Sequence, residues 1–411
     1  MTGQHGQAIR SSRPQAHARS PCACFVALEN RDHRKTFAYR VGSFARRRFQ
    51  RITYTDSTSA TVQRMRTPLL LSMGLLFAAA HPAAHAAAFS EGELLFDQPG
   101  WDYSPSSLID LDGKEKVWWC GHLNGHDVVK YRERTGTGSW SAPVIVLQAN
   151  QFLRGARPLT WEGVHTCDPT VTRGRWNYQG QEYSYVMYYT TERPGSNGID
   201  NRIAVAFSND GINWKKHDAP VIHDGDPGTY GTGQSVAWSA DGAAGIRTIY
   251  TYVDGNGDIT YFYRESPDAI NFGEKRKLSQ KGLTLNGQSG ISHAKPALGF
   301  APGSYNGHYF YYMASVCEAH LDSSYGPAYP EWGTAKGVCV YRAEGEDAFT
   351  GTWTKVLDSA HIKPVEVEPG FLTNIYGSLD GILPTISIRY GCSGSGDPNT
   401  WEICWSEGKL D

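Results

Sequence analysis

Asp168-Pro169 follows His165 by three residues and opens a β-branched, aromatic stretch. Proline cannot donate to a sheet ladder, so an Asp-Pro step belongs at the beginning of a strand, where a carboxylate can face a cleft. A second such step, Ser104-Pro105, has Asp102 two residues before it. Side chains two apart on a strand share a face, so Asp102 and Ser104 look the same way. Gln234, the pair His293 and Lys295, and Asp380 or Tyr376 occupy comparable places further along. Paired carboxylates are residues that general acid–base chemistry uses. So polar a ring needs hydrogen-bonding partners if it is buried, which suits a small polar ligand. The alternative is an Asp168–Lys295 ion pair across a water-filled channel.

These residues recur because the chain repeats. Ser104, Asp168, Gln234 and Lys295 are separated by 64, 66 and 61 residues, and each begins a unit of about four short strands divided by Gly, Asp and Asn turns. The fifth unit is shorter, with a strand near Ile382, then Thr385–Arg389 and Trp401–Trp405. No stretch has helical periodicity long enough for an α/β fold. The expectation is all-β: five four-stranded antiparallel blades around an axis, a five-bladed β-propeller. Radial closure would leave few exposed sheet edges. A two-sheet sandwich is the structural alternative.

Charge and cysteines bound the setting. Residues 1–64 hold eleven Arg, one Lys and three acids, whereas residues 67–411 carry 26 basic and 38 acidic residues. A body that acidic repels phosphate backbones, which disfavours nucleic acid as a partner. Met65-Arg-Thr-Pro, the apolar run 69–80 and Ala83-Ala-His-Ala-Ala-Ala88 make a secretory signal peptide over residues 65–86. The apolar run is too short to span a bilayer comfortably. Residues 1–64 then read as a disordered upstream extension outside the native protein, and residues 87–411 as the propeller, secreted or periplasmic and monomeric. In an oxidising compartment the six remaining cysteines pair. Cys392 and Cys404 flank a turn-rich loop, as do Cys317 and Cys339, which leaves Cys120 with Cys167, the alternative for that last pair being buried free thiols.

The second unit resembles one blade of the five-bladed propeller glycoside hydrolases, the superfamily of family 43 arabinanases and xylosidases and family 32 fructosidases. The resemblance rests on Asp168-Pro-Thr-Val, Tyr185-Val-Met-Tyr-Tyr-Thr, Ile203-Ala-Val-Ala-Phe-Ser-Asn-Asp-Gly-Ile-Asn-Trp and Pro220-Val-Ile. It implies action on pentosyl or furanosyl glycans, with a base Asp on the first inner strand, a tuning Asp on the second and an acid Glu on the third. Asp168 matches the second position. The first holds Ser104, with Asp102 nearby, and the third holds Gln234, which cannot donate a proton as an acid. Asp102 and Asp168 are therefore the catalytic candidates, and Ser104, His165, Gln234, His293, Lys295 and Asp380 the glycan-binding ones. Glu162, Glu192 and Glu318 are replacement acids. Lys295 near the axis opposes a cation, so neither metal nor cofactor is expected. The alternative function is glycan binding without turnover, consistent with Gln234. His122 and His126, four apart, fall in an expected turn and not on a helix that would let them share a metal.

Overall fold

A computed structural model of the chain describes residues 87–90, 93–96, 101–196, 199–224, 228–239, 245–253, 259–283, 298–316, 338–358, 365–393 and 401–410. All of these belong to one of the chain's two compact units, Ala79–Asp411. The expected extension and signal segment lie outside the described residues up to position 86.

The described residues are almost entirely strand. β1 (Ala87–Ala88) and β2 (Glu93–Phe96) come first. The first run follows as β3 (Asp102–Ile109), β4 (Lys114–Leu123), β5 (His126–Thr135) and β6 (Val144–Gln148). The second is β7 (Thr166–Tyr178), β8 (Gln181–Thr191), β9 (Arg202–Ser208) and β10 (Lys215–Lys216). The third is β11 (Gly231–Ser239), β12 (Ile246–Val253), β13 (Ile259–Ser266) and β14 (Arg276–Lys277). The fourth is β15 (Leu298–Tyr305), β16 (His308–Val316), β17 (Val338–Glu344) and β18 (Thr354–Asp358), with one helical turn, α1 (Asp347–Thr350), before β18. The last is β19 (Val365–Thr373), β20 (Thr385–Ser393) and β21 (Glu402–Lys409).

Within each run, neighbouring strands pair antiparallel. β2 adds antiparallel to β21, and β1 adds parallel to β18. Parallel pairing of Leu372 and Thr373 with Ser107 and Leu108 joins the first and last runs into one eight-stranded sheet. The inner strand expected near Ile382 is instead β19. Residues 380–384 form a turn, and Glu366, Glu368, Pro369 and Gly370 break the apolar alternation that would have marked β19 in the sequence. The His122–His126 segment does contain a turn: Asn124 and Gly125 both have positive φ and join β4 to β5.

Each run buries both faces, which is why its strands read as nearly continuous apolar segments. Leu108 and Trp118 pack with Val171 and Tyr189, while Tyr188 and Phe207 pack with Tyr250. Trp238 and Tyr261 pack with Phe300 and Trp353, Tyr312 with Ile388, and Phe96 with Trp119 and Ile403. The turn Ser208–Trp214 ties two runs together. Asp210 accepts from the Ile212 and Asn213 amides at 2.8 Å, and Trp118 Nε1 donates to Gly211 O at 2.8 Å. Asp268 accepts in the same way from Ile270 and Asn271.

The first strands of the runs meet. Val171 N donates to Ser106 Oγ at 3.0 Å, Ala237 N to Thr170 Oγ1 at 3.2 Å, and Ser107 Oγ to Phe371 O at 3.3 Å. Pro105, Pro169, Gln234, Gly299 and Gly370, one from each first strand, line a cavity of about 30 Å³, room for little more than a water molecule. A Cβ on Gly370 would lie 2.0 Å from Pro105 O, so only glycine permits this approach of β19 to β3.

Candidate functional site

The same backbone irregularity recurs on three first strands. Register shifts fall between Tyr103 and Ser106, Cys167 and Thr170, and Val367 and Gly370. In each, the residue before proline has left-handed backbone: Ser104 at φ 51°, Asp168 at 50° and Glu368 at 52°. β11 has its shift between Thr232 and Ser235, beside Gln234. A non-glycine residue in this region costs on the order of 1–3 kcal/mol, and such bulges re-aim a side chain. Ser104, Asp168, Gln234 and Glu368 thus hold equivalent places, and all are buried.

Asp168 is held by a histidine shared with another acid. His165 Nδ1 lies 2.6 Å from Asp127 Oδ2, and its Nε2 lies 3.4 Å from Asp168 Oδ2. Burial alone would lower the imidazole's pKa, but hydrogen bonds to Asp127 and Asp168, reinforced by their charges, lift it to about 9. Both ring nitrogens therefore carry protons at neutral pH, and the imidazolium donates to two carboxylates. Tyr103 stands among them. Burial, then the charges of Asp127, Asp168 and Glu368, push its phenol well above the ordinary range, so it stays a neutral hydroxyl. The Cys120–Cys167 disulfide, next to Asp168 in sequence, crosslinks β4 to β7. Cys392–Cys404 joins β20 to β21. Cys339 is also disulfide-bonded, and Cys317 lies outside the described residues.

The other candidates are distributed differently. Asp102 is fully buried, and its Oδ1 accepts from Trp119 Nε1 at 2.8 Å and Lys130 Nζ at 2.9 Å. Gln234 Nε2 donates to Ser104 Oγ at 2.9 Å, so two neutral groups share one bond across the first strands. Asp380 lies in the turn beyond the C-terminal end of β19, where it accepts from Ser304 N at 2.7 Å and Ser378 Oγ at 3.0 Å. It is not among the groups around Asp168. Glu162 is buried against Lys216 Nζ at 2.5 Å and Asn150 N at 2.8 Å, and Glu192 accepts from Ser196 Oγ at 3.2 Å. His293, Lys295 and Glu318 lie outside the described residues.

Two members of the cluster were not picked out in the sequence. Glu368 had a legible signal: Glu368-Pro369 repeats the Xaa-Pro step of Ser104-Pro105, Asp168-Pro169 and Lys295-Pro296. Asp127 had none, because it sits in β5, which carries no such marker. Among the described residues, the sets Cys120, Cys167, Asp168 and Asp127, His165, Cys167 are close enough to share an ion, but each includes Cys167, whose sulfur is in the disulfide. The remaining donors do not make a three-ligand metal site.

The architecture is that of an all-β protein of repeated, curled four-stranded meanders with a polar cluster where the first strands begin. Similar solved structures include Zg3597, a family 117 glycoside hydrolase from the marine bacterium Zobellia galactanivorans (12% identity, 79% of this chain and 91% of that protein, TM-score 0.50). A second is a glycoside hydrolase with 12% identity, matched over 79% of this chain and 93% of its own length at a TM-score of 0.50. At such identity the likeness is one of fold. No family model and no curated protein matches the sequence.

Proposed function

We propose that residues 87–411 form an exported five-bladed propeller, glycoside hydrolase-like, that takes pentosyl or furanosyl glycans where its first strands begin. The observation that carries this reading is the His165 imidazolium between Asp127 and Asp168, at a backbone position matched by Glu368 on the last run. Three carboxylates stand near one imidazolium and one phenol, and carboxylates are the acceptors that sugar hydroxyls use. Hydrolysis needs a carboxylate to take a proton from water and an acid to give one to the leaving oxygen. The His165 imidazolium beside Asp168 suits that carboxylate to the first role or to tuning a neighbour. Glu368, at the equivalent place on the last run, is assigned the second. Asp102, bound to Lys130 and Trp119, serves this site by fixing β3.

A second reading, glycan binding without turnover, is favoured by the Gln234–Ser104 hydrogen bond. Those two positions are where the resembling family carries its acid and base. A chromogenic-pentoside panel run beside a glycan array separates the two. Asp168→Asn, which keeps volume and removes charge, should weaken binding or turnover at least about tenfold, or roughly 1.4 kcal/mol. Glu368→Gln should lower turnover at least about a hundredfold with binding retained. Full function in both variants would overturn the site. Binding with no turnover in the wild type would select the second reading. Export is supported by the signal segment and the disulfides, and no helix among the described residues is long and apolar enough to cross a membrane.

A further inference from the structure

We propose a second oligosaccharide-binding site in the crevice between the third and fourth runs, beyond the end of the strands away from Asp168. The crevice measures about 450 Å³ and is lined by Trp238, Arg247 and Glu265 on one side and by Tyr309, Tyr311 and Phe349 on the other. That volume falls within the roughly 300–1,000 Å³ of small-ligand sites. Tyr309 is 42% exposed and meets Tyr311 edge-to-face at 5.3 Å, an aromatic platform open to solvent.

Two features specify the ligand's chemistry. Trp238, 1% exposed and stacked on Phe300 at 5.1 Å, backs the aromatic wall. The walls are also polar: Arg247 pairs with Glu265 at 3.1 Å and Arg276 with Glu346 at 2.6 Å, and Asp380, which also lines the crevice, accepts from Ser304 N and Ser378 Oγ. These groups provide donors and acceptors, and the carboxylate in excess disfavours an anion. An exposed aromatic face and hydrogen-bonding walls without net positive charge together fit an uncharged polyhydroxylated chain. That the ligand is a pentose glycan rests on the reading above. A site here would hold a polymer while the Asp168 end engages another stretch of it.

Affinity electrophoresis of the full-length protein through gels containing soluble arabinoxylan tests the assignment, with near-UV circular dichroism confirming the fold of each variant. Tyr309→Ala should reduce retardation affinity at least fivefold. Arg247→Gln, which removes a charged donor from the crevice wall, should reduce it at least threefold. Both should leave chromogenic-pentoside turnover unchanged, and Asp168→Asn should still be retarded. Wild-type retardation in both crevice variants, or an unretarded wild type, overturns the site. Loss of retardation in Tyr309→Ala from a protein that turns over no pentoside supports the crevice while removing the hydrolytic reading.

Discussion

Discharging His165 should cost the fold a measurable and predictable amount. Unfolded, an imidazole titrates near 6.5. In the fold, despite burial, hydrogen bonds to Asp127 and Asp168 hold its proton until about pH 9. Because the folded value is the higher one, the stabilisation is fully present below pH 6.5 and is lost as pH rises through 9. The gap corresponds to about 3 kcal/mol in full, of which about 2 kcal/mol remains at pH 7.5. Urea unfolding of wild type and His165→Gln at pH 6, 7.5 and 9.5 isolates this contribution, since other groups titrate equally in both. The stability difference between them should shrink by about 3 kcal/mol from pH 6 to 9.5. If it stays constant across that range, His165 is not the shared cation. Glycan affinity should fall over the same interval, because the carboxylates lose the charge that organises them.

Asp102→Asn should cost about 3 kcal/mol or more in urea unfolding, since it leaves the Lys130 ammonium nearly buried without its counter-charge. A catalytic base at that position would instead show as lost turnover at unchanged stability. Replacing Cys120 and Cys167 together by Ser should cost about 4 kcal/mol in the loop-entropy model, given their separation of 47 residues, measured by the same unfolding assay under non-reducing conditions. N-terminal sequencing of exported protein should begin near Ala86 to Ala88. Recovery of residues 1–64 on that protein would overturn the signal assignment.

The sequence by itself determined the all-β class, the repeat and most strands, because local rules govern these. β-Branched and aromatic runs between Gly, Asp and Asn turns mark strands without knowledge of their partners, and the spacing of the Xaa-Pro steps marks the units. Two of the cysteine pairs followed from loops and from what remained. Asp168 and His165 were legible for the same reason, being three residues apart at one strand start. Tertiary structure alone decided which distant residues join them. Asp127 reaches His165 from another run, and no pattern local to β5 announces that contact. Glu368 lies on a strand whose apolar alternation is broken by the Glu, Pro and Gly that let it approach β3, so the feature that builds the site also hid the strand. Asp102 shares a strand with Ser104, but its place was settled by Lys130 and Trp119. A buried carboxylate goes where its counter-charge is, and that is a property of packed sheets, not of spacing along the chain.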